Sequence, residues 1–325
     1  MRMRSVFTAL LAALVLSAGP AFAQSMGDNL DWDPAQRDFR RPSGTPSTGN
    51  SGSGAMAGLD KELARTDLTP QRRADLLLLR SLLNKTMGHD SDSRRDLDQA
   101  LKIWPDIRFD MLAAAAMADA NVGRTQPALD RLDSALRERP GLPTLLTARG
   151  QVRLMLGDND MAIADLSQLV DSSPRARWLR VQAYYNKGSY RESSDDVEAL
   201  IRGWNGAAPV LPMLWRYANN VKLRRDARGA LAADYRAYGE PTEWPAPIVR
   251  HLLGRISAGD LDVAAETDSV AKSTNGRCLT ALFQGLDTLR VGNRNRAREL
   301  FQLSQARCGA NSPANLAATA ELRRM

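Results

Sequence analysis

Glycine returns along this chain at a nearly fixed interval. Gly88, Gly123, Gly157 and Gly188 follow one another closely in step, as do Gly259 and Gly292. The step is about 34 residues, the length of a helix–turn–helix repeat. One gap, from Gly188 to Gly259, is about twice that step, and Arg225 stands where a glycine would halve it. Such a period implies one supersecondary unit used many times, too small to bury its apolar face except against its neighbours. Other markers keep step with it. Gly150, Gly157, Ala162 and Pro174 have counterparts at the same offsets in Ala116, Gly123, Ala128 and Pro140, and the last unit has Gly285, Gly292, Ala297 and Phe301. Each type has a physical task. A small residue at 116, 150 and 285 lets two helices approach. The turn glycine accepts a left-handed backbone after the first helix. Alanine at 128, 162 and 297 suits a helix crossing, and Pro105, Pro140 and Pro174 are read as closing the second helix. Leu129, Leu132, Ala135 and Leu136 have the spacing of one apolar helix face.

This pattern resembles the tetratricopeptide repeat family over residues 58–325. It is clearest around Gly123, Gly157 and Gly292, weaker at Gly88 and Gly188, and degenerate at about 203–273, where Pro212, Pro241, Pro245 and Pro247 interrupt it. The resemblance implies an all-α fold, a right-handed superhelical α-solenoid of about seven helix pairs, each burying its apolar face only against its neighbours.

The first residues, MRMRSVFTALLAALVLSAGPAFAQ, combine Arg2 and Arg4, a short apolar run from Phe7 to Leu16, and Ala21-Phe22-Ala23 before Gln24. That is a secretory signal pattern over residues 1–23, cleaved after Ala23, with an uncleaved anchor as the alternative. No cysteine adjoins the cleavage site, so lipidation there is not expected. A mature chain in the periplasm or outside the cell, and not spanning a membrane, follows. Residues 24–57 are rich in Ser, Gly, Thr and Pro and read as a flexible linker; Trp32, among acids, is a docking motif or a chance aromatic. The net charge is +7, two of which belong to Arg2 and Arg4, and basic residues are interspersed with acids. Nucleic acid is therefore not an expected partner.

A search for chemistry finds little. His89, read as a solvated turn residue, and His251, in a first helix, fall in distant units, so a shared metal site or triad is not expected. Ser193-Ser194-Asp195-Asp196 reads as a helix start with acids at the favourable end of the dipole. Phosphate-loop, H-E-x-x-H, G-x-S-x-G and C-x-x-C motifs do not occur. No cofactor and no metal are expected, and the chain is read as not an enzyme.

The family resemblance implies instead that first helices line a concave groove that takes peptides. Its register places Thr147 and Gln151 there, then Arg175, Trp178, Gln182, Tyr185 and Asn186, then Trp215, Asn219 and Lys222. Amides bond peptide backbone, aromatic rings supply rigid apolar area, and cations attract carboxylates. For Trp178 and Trp215 the alternative is the core, one register position away. Leu279, Leu282, Leu286 and Leu289 form an apolar stripe, either a docking surface or the seat of a capping helix over 312–324. A signal, a solenoid of this length and the pattern Cys278…Phe283-Gln284-Gly285…Gly292…Ala297…Phe301…Cys308 are similar to periplasmic repeat proteins of the NlpI type, though without their lipidated cysteine. The resemblance implies a scaffold that holds envelope proteases or peptidoglycan enzymes together, with protein or peptide partners and homodimerisation as an option. A cell-wall or polysaccharide-binding role, with Trp178, Tyr185 and Trp215 stacking on sugars, is the alternative.

Cys278 and Cys308 are the only cysteines. They begin and end one antiparallel helix pair, which brings them within reach of a disulfide, and an oxidising compartment would preserve it. Missing C-x-x-C spacing and the lack of a nearby His argue against a redox pair or a metal site. Closing this loop stabilises by roughly 3–4 kcal/mol in the chain-entropy treatment. Cys278→Ser should therefore lower the melting temperature of oxidised protein, while an unchanged temperature would show that the bridge contributes nothing.

Overall fold

The computed structural model describes residues 51–204, 208–273 and 276–325. The expected signal segment, its cleavage site, Trp32 and the linker up to residue 50 lie outside them. The described residues form an all-α fold with 17 helices and no strand, divided into two compact units at Ala148/Arg149.

Unit 1 contains α1 (Ser51–Leu63), α2 (Pro70–Thr86), α3 (Asp90–Ile103), α4 (Ile107–Asn121) and α5 (Thr125–Glu138); α6 (Pro143–Leu156) carries the boundary. Successive helices pack on one another. Ala74, Leu77, Ala100 and Ile107 are buried together, with Leu63 and Trp104 against them. Helix α1 begins inside the stretch read as linker, because Met56, Leu59 and Leu63 share one helical face and are half-buried.

Unit 2 contains α7 (Asn159–Ser167), α8 (Pro174–Lys187), α9 (Tyr190–Arg202), α10 (Val210–Lys222), α11 (Ala227–Ala237), α12 (Ala246–Leu252), α13 (Ala258–Thr267), α14 (Ser269–Ser273), α15 (Gly276–Arg290), α16 (Arg294–Arg307) and α17 (Pro313–Arg323). Here the nearest-neighbour expectation is corrected. Besides sequential contacts, α15 packs on α10 and α17 packs on α8. Tyr217 on α10 donates to Asp287 on α15 at 2.6 Å. The leucine stripe of α15 is therefore no free surface: Leu282 and Leu286 are buried, and α17 packs against that helix.

The repeat markers act as their sizes demand. A Cβ on Gly150 would lie 2.8 Å from Leu166 Cγ, and one on Gly285 would lie 2.6 Å from Phe301 Cε1. Ala116, Ala128, Ala162 and Ala297 are wholly buried. Gly88, Gly123, Gly157, Gly188 and Gly292 all have positive φ. Through the degenerate stretch the turn survives but its residues differ from those expected. Arg224 (φ 56°), not Arg225, and Gly254 (φ 74°), not Gly259, take the left-handed conformation. Gly259 sits in the first turn of α13 because Ser257 and Asp260 form a reciprocal capping box that starts the helix there.

Proline is also corrected. Pro174 opens α8 behind the cap of Ser173, as Pro70 and Pro313 open α2 and α17 behind Thr69 and Ser312. Its fixed φ and missing N–H cost nothing at that position. The disulfide joins Cys278 and Cys308 with Cα atoms 5.3 Å apart.

Within three helix pairs the same buried ionic contact recurs. Arg80 grips Asp96 through two bonds of 2.9 and 2.7 Å, Arg149 grips Asp165 at 2.9 and 2.6 Å, and Arg180 grips Asp196 at 2.8 Å twice. The offset between arginine and aspartate along the chain is the same in all three. Further donors complete each carboxylate: Asn84 on Asp96, Arg153 on Asp165, Arg177 on Asp196. Ser193-to-Asp196 is thus inside the helix rather than at its start, since α9 begins at Tyr190; Ser193, Ser194 and Asp196 are buried, Asp196 facing two arginines, and Asp195 is exposed. In the α4/α5 pair Ala115 replaces the clamping arginine, and the second contact has its polarity exchanged. Asp119 stands at the position of Arg153, Arg131 at that of Asp165, and they bond at 2.8 Å. Removing one partner of a buried pair strands the other charge and costs about 3–5 kcal/mol. Asp165→Ala should lose stability on that scale in urea unfolding.

Candidate functional site

In unit 1 the first helices bring equivalent repeat positions side by side. Asp75 on α2, Asp110 on α4 and Thr144 on α6 stand one repeat period apart in turn. The Thr144 side chain favours the charged form of the Asp110 carboxyl, and the charge of Asp110 acts on Asp75. Burial, then Asp110, pushes the Asp75 carboxyl from 3.8 up to about 6, against the pull of Arg72. Burial also raises Asp110; the Thr144 side chain works against that, and the charge of Asp106 adds to it. Both carboxylates are half-buried, so this row is polar and strained in its charged form. Thr147, one turn further along α6, is half-buried.

In unit 2 the expected groove residues are brought together, but not as an open trough. Arg175 donates to Gln151 at 3.2 Å. Trp178 is half-buried and meets Trp215 edge to face, centroids 6.1 Å apart; Trp215 meets Tyr185 the same way at 4.9 Å. Gln182, Tyr185, Trp215 and Asn219 are buried, Asn219 donating to Ser193 Oγ at 2.9 Å. Placing these four on a solvent-facing surface is corrected. The Trp178, Tyr185 and Trp215 rings turn this side of α8 and α10 toward each other, and α17 lies against α8.

Helix α17 carries the residues that sequence reasoning missed. Glu321 has no solvent exposure. Its Oε1 accepts from the Tyr185 hydroxyl at 3.0 Å and its Oε2 from Lys222 Nζ at 2.5 Å. Arg324 donates to the main-chain carbonyls of Tyr185 and Asn186. Lys222 and Arg324 both lie over the Tyr190 ring, at 5.5 and 5.6 Å. Burial first, then the Glu321 charge, pushes the Tyr185 and Tyr190 hydroxyls well above the usual phenol range. Nothing in one sequence ties Glu321 to a tyrosine in so distant a repeat; the available signal was an acid and a base one turn apart in an alanine-rich helix.

Among the described residues no group of three or more His, Cys, Asp or Glu is placed to hold a metal ion, and no helix is long and apolar enough to cross a membrane. No protein-family model matches the chain. Among solved structures it is similar to a tetratricopeptide repeat protein from Parabacteroides merdae ATCC 43184, at 17% identity and a TM-score of 0.39, over 88% of this chain and 99% of that one.

The raised carboxyl of Asp75 sets a pH dependence. The folded state holds this proton more tightly than the unfolded state, so stability falls as pH rises from 3.8 through about 6. Asp75→Asn should raise the melting temperature at neutral pH and leave it unchanged in acid below the ordinary carboxylate range, by parallel thermal melts.

Proposed function

We propose that the protein is a non-catalytic scaffold of the bacterial envelope that binds protein partners on the faces of its first helices. The single observation that carries this reading is the row of Asp75, Asp110 and Thr144, equivalent positions of successive repeats set side by side. Two half-buried carboxylates, one raised by the charge of the other, gain when a cation docks beside them, so this face suits a segment bearing Lys or Arg. The signal pattern at residues 1–23 supports the envelope, where proteases or peptidoglycan enzymes are candidate partners. The polysaccharide alternative loses its support: Tyr185 and Trp215 are buried against each other, and Trp215 against Trp178, which leaves no row of open rings to stack on sugars.

Envelope extract passed over immobilised protein, with mass spectrometry of what is retained, tests the proposal. Polypeptides should be retained, in amounts that drop at high salt and with the double variant Asp75→Asn, Asp110→Asn. Retention of glycan strands without polypeptide would overturn it.

A further inference from the structure

We propose that the face of α8 and α10 in unit 2 is a receptor for a partner's helix bearing a carboxylate and, one turn later, a guanidinium, and that α17 occupies this receptor in cis. The inference rests on the reading that first-helix faces bind partner proteins, and it names the partner's chemistry.

The seat is ordered by charge. Its inner end offers Lys222 and the Tyr185 hydroxyl, which take both oxygens of Glu321. Its rim offers the last carbonyls of α8, at the negative end of that helix, which take Arg324. Tyr190 lies between, with a cation from each side of the contact over its ring. An acid followed one turn later by a base is what such a seat reads, and reversing either charge sets like against like.

The present occupant is oriented by charge at the seat and also packs on α16, where Gln305 donates to Thr319 at 2.7 Å and Asn315 donates to the Gln305 carbonyl at 3.3 Å. The side chains α17 buries besides Glu321 are Ala314, Ala317, Ala318 and Ala320, one methyl each. Each methyl offers the smallest apolar area a side chain can bury. The buried Glu321–Lys222 pair fixes direction more than it adds net stability, because desolvation offsets most of the attraction. The fit is also incomplete. Asn186 Oδ1 and the wholly buried Asn219 Oδ1 have no hydrogen-bond partner among the described residues. Residues 308–312 join α17 to the disulfide-held end of α16, so its root stays fixed when it leaves the seat, a step that also breaks the Gln305–Thr319 bond to α16.

Hydrogen exchange on the full chain is the first test. Residues 313–323 should exchange ahead of α8, α10 and α15; exchange only on global unfolding would overturn the proposal. The second test adds a labelled peptide of residues 312–325 to a chain ending at Asn311, with helicity checked. The wild-type peptide should bind, its Glu321→Lys form at least about tenfold more weakly, and Lys222→Glu in the shortened chain should invert that preference. A folded shortened chain that ignores the peptide, or binds both forms alike, would sink the idea. Should the shortened chain not fold, full-length Glu321→Lys replaces it and should take up the wild-type peptide; no uptake overturns the proposal. A concentration-dependent dimer of the full chain that vanishes on shortening would assign the seat to a second copy instead. Peptide binding with no polypeptide retained from envelope extract removes the scaffold reading and leaves the seat; the reverse removes only the seat.

Discussion

A buried carboxylate clamped by arginine is the contact on which the repeats depend. Asp96, Asp165 and Asp196 each sit where a helix pair is dry, and each would be intolerable there without its guanidinium. A two-pronged bond also has a direction that apolar packing lacks. It fixes how far one helix slides along its partner and how far it rotates. In the α4/α5 pair Ala115 stands where the clamping arginine would, and a single Asp119–Arg131 bond with exchanged signs takes its place. Gln284 and Leu300 stand at the corresponding positions of the α15/α16 pair, where Gly285 seats the Phe301 ring and the disulfide closes the far end.

With each pair fixed, the faces of the first helices follow. In unit 1 the repeat period alone lines up Asp75, Asp110 and Thr144. In unit 2 α15 and α17 return to α10 and α8. The Tyr217–Asp287 and Tyr185–Glu321 bonds are therefore long-range contacts that a purely neighbour-to-neighbour array would not have.

Much of the fold is legible in the sequence because local physics wrote it. Gly150 and Gly285 are small since Leu166 and Phe301 press on them, and the turn glycines need positive φ; both leave marks at a fixed period. The disulfide follows from two cysteines at the ends of one pair. The Arg–Asp contact is written there too, as one offset repeated from Arg80, Arg149 and Arg180, although charge patterning alone does not single it out. Where the markers are replaced the pattern misleads: Arg224 bears a turn usually given to glycine, and a capping box draws Gly259 into a helix. The candidate site is harder. Register gathers Trp178, Tyr185 and Trp215 on one side of α8 and α10, but how deeply they are buried depends on those helices facing each other and on α17. The docking of α17 is a tertiary contact and leaves no local period.

The return of α17 to α8 also changes what evolution can do with this chain. An open array tolerates the gain or loss of a whole repeat, because the new unit simply meets its neighbours. Between α8 and α17 that freedom is gone. One more helix pair, or one fewer, would carry Glu321 away from Tyr185 and Lys222 and leave a lone charge to be hydrated or lost. Unit 2 is in that sense a counted object: its number of repeats is set by a single carboxylate that has to arrive at the right place.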